Sequence, residues 1–325
     1  MNNKEHTGVK KLILPGCNGE NGMVPKNFGL VSIIIANYNN EKFIDRFMNL
    51  LEVQTYKNFE LIVVDDGSVD QSIKRVEPYK SRMSIKIIRI DHEGVGVARD
   101  VGIQLAKGDF FMFLDVDDTF SKKHIESYVN ELMYSKCDIA LIPVLKNREK
   151  SFNRDEIVAI KELVQDILNG DISGWLHQII TKSWVWKKVS FLKNVDYAED
   201  VFALKMIANE HPDIKVHIRG EISPTYVYEQ NEASVTNSPS ESSINKIITL
   251  NEIMGLKYTS DDSMQLFLKR QMIYAYSLSL RLGQQKLTRK VRSELLYGPL
   301  KKYLSKSEMI KVSLGLFAIK SRMGL

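Results

Sequence analysis

Three carboxylates stand within four residues at Asp115-Val116-Asp117-Asp118. So close together they repel one another and call for a compensating cation. Hard oxygen ligands suit magnesium or manganese, above all where phosphate oxygens complete the coordination. A divalent ion held there can neutralise a diphosphate and stabilise its departure as a leaving group. The competing use is a helix cap, which Asp118 or Thr119 could serve alone; Asp115 and Asp117 suit the metal better. A second cluster, Asp65-Asp66-Gly67-Ser68, could hold a base or ribose through a carboxylate or simply make a turn. Glu199-Asp200 could supply the base that takes a proton from an attacking hydroxyl. Taken alone, an acidic pair favoured by a helix dipole is the commoner meaning. Arg99 could clamp a phosphate oxygen or lie on the surface. Gly94-Val95-Gly96-Val97-Ala98 lacks the spacing of a dinucleotide fingerprint.

These groups need elements to position them. Residues 30–36 form a short, β-branched apolar run, as do 59–64, and each reads as a strand buried on both faces. Residues 85–90 and 110–114 read as two more strands. Helical spacing fills the intervals 41–54, around Ile73 and Val76, and 94–106. The alternation predicts a mostly parallel sheet flanked by helices. In such sheets ligands sit beyond the carboxyl ends of the strands. The polar clusters at Asn37-Tyr38-Asn39, Asp65-Asp66 and 115–118 all follow strands and should line one crevice. Further on, 121–135 reads as a helix, 138–145 as a strand, 151–197 as mixed, 199–209 as a helix and 224–235 as extended. From 240 the pattern is helical.

The 325 residues, 44% hydrophobic and 26% charged, suit an ordinary globular protein of one large domain with an appendage, or of two domains. A net charge of +5 does not by itself imply nucleic-acid binding, and no nucleic-acid partner is expected. The basic residues gather late: between Lys286 and Lys306 only Glu294 is acidic. Cys17 and Cys137 lack disulfide or zinc spacing, which fits a reducing cytoplasm. Residues 1–28 read as a poorly ordered leader without a signal peptide, and no apolar run approaches the ~20 residues of a membrane span. The stretch 307–323, apolar with basic flanks, suits either a membrane interface or docking on the core.

Taken in order, these segments resemble family-two inverting glycosyltransferases of the GT-A fold. The likeness rests on residues 31–39, on Val63-Val64-Asp65-Asp66-Gly67-Ser68, on 94–102, on 108–118 and on Glu199-Asp200. It implies a donor half at 29–120, an acceptor half at 121–237 and a helical C-terminal region at 238–325. It places Ala36, Tyr38 and Asp66 at the nucleotide base, most often uracil, and Arg99 at the diphosphate. Asp115 falls to the ribose or metal and Asp117 to Mn2+ or Mg2+. Asp200 becomes the base that deprotonates the acceptor, with Glu199 beside it. The implied partners are a UDP-sugar and a glycan or lipid-linked glycan, at the inner face of the cell membrane. Two positions depart from the pattern: Ala36 replaces a proline, and Asp100 replaces an asparagine. Residues 181–188, and Tyr226-Val227-Tyr228 through Ser234-Val235-Thr236, further resemble bacterial capsule and exopolysaccharide transferases. Trp175 and Trp186 could stack on an acceptor sugar or pack in the core. Two rivals remain: a nucleotidyltransferase, although Asn37-Tyr38-Asn39-Asn40 lacks the Gly-rich basic loop it needs, and a non-catalytic sugar-binding protein, although its acidic residues are all retained.

Overall fold

The structure, a computed structural model, describes residues 28–229 and 240–315. The expected leader, apart from Phe28, and Ser234-Val235-Thr236 lie outside the described residues. The strands are β1 (Val31–Asn37), β2 (Phe59–Asp65), β3 (Ile85–Arg89), β4 (Phe110–Phe113), β5 (Thr119–Phe120), β6 (Ile139–Leu141), β7 (Leu145–Lys146), β8 (Glu149–Lys150), β9 (Asp155–Ala159), β10 (Ile179–Lys182), β11 (Lys215–Arg219) and β12 (Tyr226–Tyr228). The helices are α1 (Glu41–Glu52), α2 (Ser72–Val76), α3 (Val95–Leu105), α4 (His124–Ser135), α5 (Ile160–Asn169), α6 (Glu199–Glu210), α7 (Glu241–Lys257), α8 (Asp262–Arg281), α9 (Gln285–Tyr297) and α10 (Lys306–Leu314).

Eight strands form the main sheet in the order β3-β2-β1-β4-β10-β6-β11-β9. The first four are parallel, as the apolar runs predict. β10 then inserts antiparallel between β4 and β6. Along β1, Val31, Ile33 and Ile35 join the apolar layer of α1, and Ile34 joins that of α3. Burial on both faces explains why this strand reads as an unbroken apolar run. Each such fully buried side chain contributes roughly 1.5–3 kcal/mol. Gly102 lets α3 lie directly on Ile34, since a β-carbon there would collide with its side chain.

A small second sheet, β5-β12-β7-β8, stands beside the acidic run. Its short strands correct the expectation of one strand over 138–145. Ile139–Leu141 belongs to the main sheet and Leu145–Lys146 to the small one. Pro143, between them, has no N–H to offer a ladder. The C-terminal helices share the hydrophobic layer of α5 and α6, with Phe202 and Phe267 edge to face at 6.2 Å. The helix expected over 307–323 is described as far as Leu314, where Gly315 takes a left-handed φ of +71°. This part is docked: Val312 is buried and its carbonyl accepts from the Tyr276 hydroxyl at 2.8 Å. Residues 316–323 lie outside the described residues.

Candidate active site

The three strand-end clusters do converge. They line one cavity of about 1040 Å³ together with Arg99, His177, Glu199 and Asp200. At the end of β1, the Asn37 amide donates to Asp65 at 3.0 Å and to Ser68 at 3.1 Å, joining the first two strand ends. Asp66 accepts from the backbone N–H groups of Glu93 (2.7 Å) and Gly94 (3.0 Å). It thereby anchors the entrance to α3, where Gly94 holds φ +95°. Tyr38 is half exposed and stacks on His92 with ring centroids 4.3 Å apart. Ala36, Tyr38 and Asp66 thus all line the cavity.

The acidic run divides by environment. Burial raises the pKa of Asp115, but a hydrogen bond from His177 and the charge of Arg99 outweigh it and hold the group at about 2. His177 Nδ1 lies 3.3 Å from Asp115 Oδ2. Asp118 is fully buried and caps no helix. It accepts from the Tyr226 hydroxyl at 2.6 Å and from the Glu229 N–H at 2.8 Å. Burial and the charges of Asp115 and Asp117 push it up to about 8. This corrects the capping alternative for Asp118. Asp115, Asp118 and His177 each offer a ligand atom, all within 4.8 Å of one another. His177 Nε2 is buried without a partner. A carboxylate raised by burial and by its like-charged neighbours, together with an orphaned imidazole nitrogen, fits a bound cation. Asp117 lines the same cavity but stands outside that cluster.

Arg99 is buried and reaches two carboxylates, Glu199 at 2.5 Å and Asp115 at 3.5 Å. Their charges raise its pKa against the opposing effect of burial. Glu199 and Asp200 open α6, as the sequence suggests, and both line the cavity. Burial and the charge of Glu199 push Asp200 up to about 7, while Arg99 and the Val201 N–H pull the other way. The loop leading to this pair is braced by Asp100. Both its oxygens accept from the Phe191 N–H, at 2.9 and 3.0 Å, and burial lifts its pKa to about 6.

Sequence reasoning missed His177 and Tyr226. The two rings stack with centroids 4.8 Å apart and together back the acidic run. The signal for His177 was a histidine two residues before the apolar pair Ile179-Ile180. Of the two tryptophans, Trp186 is core: its indole N–H donates to Thr181 at 2.8 Å. Trp175 lines the cavity and stacks on Tyr228 at 5.5 Å. No helix among the described residues is long and apolar enough to cross a membrane.

A parallel sheet ending in paired carboxylates, followed by an inserted antiparallel strand and a helix opened by an acidic pair, is the arrangement of the GT-A fold. Similarity to known proteins agrees. Residues 32–184 match the family described as Glycosyl transferase family 2. Poly(ribitol-phosphate) beta-N-acetylglucosaminyltransferase TarS of Staphylococcus aureus is 33% identical over 115 residues, 34% of this chain and 20% of TarS. The match therefore spans about a fifth of that relative. The crystal structure of S. aureus TarS 1-349 in complex with UDP-GlcNAc has a TM-score of 0.63 at 20% identity, covering 82% of this chain and 81% of that one. The Pyrobaculum calidifontis mannosyltransferase PcManGT, in complex with GDP-Man and Mn2+, has a TM-score of 0.50 at 13% identity, covering 88% and 86%.

Proposed function

We propose that this protein transfers a sugar from a UDP-sugar to a hydroxyl of a glycan or lipid-linked glycan, inverting the anomeric carbon. The observation that carries the reading is one cavity holding both a cation-fitting cluster, Asp115–Asp118–His177, and a carboxylate, Asp200, raised to about 7. A general base works best with a pKa near the operating pH. Asp200 would take the proton of the attacking hydroxyl. Arg99 holds Glu199 beside it and Asp115 at the leaving-group side. Asp66, Ala36 and Tyr38 would seat the base of the donor.

Asp115, Asp118 and His177 would hold a divalent ion, with Asp117 available from the same cavity. The ion's chemistry would be to neutralise charge on the departing diphosphate. A set mixing imidazole with carboxylates suits Mn2+ better than Mg2+, which favours all-oxygen shells. The UDP-GlcNAc bound by TarS and the Mn2+ in PcManGT support the donor and the metal by analogy of fold. The TarS name supports a role in a bacterial cell-surface polymer. The place of action would be the cytoplasmic face of the cell membrane, where the exposed basic residues of α9 suit an anionic surface. The test is a donor screen with purified protein and Mn2+, following nucleoside diphosphate release from UDP- and GDP-sugars. Release from none of them, with or without a lipid-linked acceptor, overturns the proposal.

A further inference from the structure

α7 is two-sided. Ile244, Ile247, Ile248 and Leu250 are buried, while Glu241, Ser242, Asn245, Lys246 and Thr249 share the other face at helical spacing. Asn194 and Asp196, from the loop just before Glu199, stand across from that face, with Lys246 Nζ 3.9 Å from Asp196. Between them runs a groove of about 630 Å³. It is continuous with the catalytic cavity, because Asn194, Asp196, Ser242 and Lys246 line both. Ala36, Tyr38, Asp66 and Asp115 line only the cavity, whereas Asn194 and Asp196 belong to the loop that runs into Glu199 and Asp200 at the start of α6.

We infer that this groove is an acceptor subsite that binds a neutral, polyhydroxylated chain, holding units beyond the one whose hydroxyl reaches Asp200. The inference rests on the glycosyl-transfer reading above and deepens it. The walls carry amide and hydroxyl groups, which donate and accept, as the hydroxyls of a glycan require. Among the described residues lining the groove, Lys246 is the one cation against two acids, Asp196, which it approaches to 3.9 Å, and Glu241. A polyphosphate would therefore meet excess negative charge, and like charges brought together are penalised. Hydroxyl-rich chains carry no such cost.

The experiment is hydrogen–deuterium exchange on the full chain with Mn2+ and UDP. The probes are a ladder of neutral hexose and N-acetylhexosamine oligosaccharides of graded length and, separately, polyribitol phosphate. The neutral ladder should slow exchange over 241–249 by at least about fivefold. The effect should disappear in Asn245→Trp and Thr249→Trp, which fill the groove but leave slow donor hydrolysis at the wild-type rate. Protection by neither probe, protection by polyribitol phosphate alone, or protection that survives both substitutions overturns the subsite. Nucleoside diphosphate release by the wild type, measured in the same samples, separates failure of the subsite from failure of the transfer reading.

Discussion

Arg99 donates to Glu199 at 2.5 Å, a contact between residues 100 positions apart that ties α3 to the first turn of α6. Its other arm reaches Asp115, so one guanidinium joins the acidic run after β4 to the start of α6. The resemblance sets Arg99 near the diphosphate; the structure shows it bridging two carboxylates as a strut. Arg99→Gln leaves the covered Glu199 and the part-exposed Asp115 without their shared partner and should destabilise the fold by roughly 1–2 kcal/mol. It should also lower kcat about 10²-fold. Because the charge of Arg99 lowers the pKa of Asp200, the acidic limb of the kcat–pH profile should move to higher pH. Arg99→Lys should restore part of that shift but little of kcat, since an ammonium cannot span both acids. An unmoved pH profile in Arg99→Gln argues against the strut.

Asp200 titrates at about 7 instead of its ordinary 3.8. As a base it works only when ionised, so kcat should rise with pH and level off above about 7. Asp200→Asn should cost about 10²–10⁴ in kcat and leave UDP-sugar affinity unchanged. Stability gives an independent reading. A raised pKa means that the folded state binds this proton more tightly than the unfolded chain does. The contribution is therefore fully favourable below about pH 4 and is lost as pH rises through about 7. Asparagine cannot ionise, so the variant should match wild type in melting temperature at pH 4 and exceed it at pH 8. Wild-type turnover by Asp200→Asn rejects it as the base.

The cation cluster can be tested without turnover. Mn2+ titration followed by electron paramagnetic resonance should show at least tenfold weaker binding in His177→Ala and in Asp118→Asn. Asp117→Asn measures the remaining expectation. If Asp117 is a ligand its affinity loss should equal that of Asp118→Asn, whereas a group outside the cluster should cost less. Full affinity in His177→Ala removes histidine from the set.

The donor wall was legible because each of its strands is buried on both faces and so reads as a continuous apolar run, with its polar cluster directly after it. The Asp65-Asp66 pair and the 115–118 run could be placed at strand ends from that pattern, while the choice of Asp66 within its pair came from the resemblance. His177 could not. It reaches Asp115 only because β10 inserts antiparallel beside β4, a pairing that leaves no local trace, and a lone histidine beside a tryptophan reads as core. Tyr226 reaches Asp118 through a pairing of β12 with β5, strands of three and two residues. Elements so short carry no measurable periodicity. Asp118 was legible as a carboxylate but not as a buried one, because its burial is made by that distant tyrosine.

The two tryptophans should separate by what they lose. Trp186 is enclosed by Phe113 and Phe191, at 4.9 and 5.7 Å between centroids, and its N–H is satisfied by Thr181. Trp186→Ala should therefore cost about 3–5 kcal/mol of stability by leaving a cavity. Trp175 has Tyr228 against one ring face and the Lys146 ammonium 4.7 Å from its centroid, at the edge of the cavity. Trp175→Ala should cost much less stability and should raise the acceptor KM about tenfold, leaving donor KM unchanged, since a sugar loses one aromatic face. Denaturant melts and a two-substrate kinetic matrix check both. Equal destabilisation by the two substitutions, with acceptor KM unmoved, would place Trp175 in the core with Trp186 and take it out of acceptor recognition.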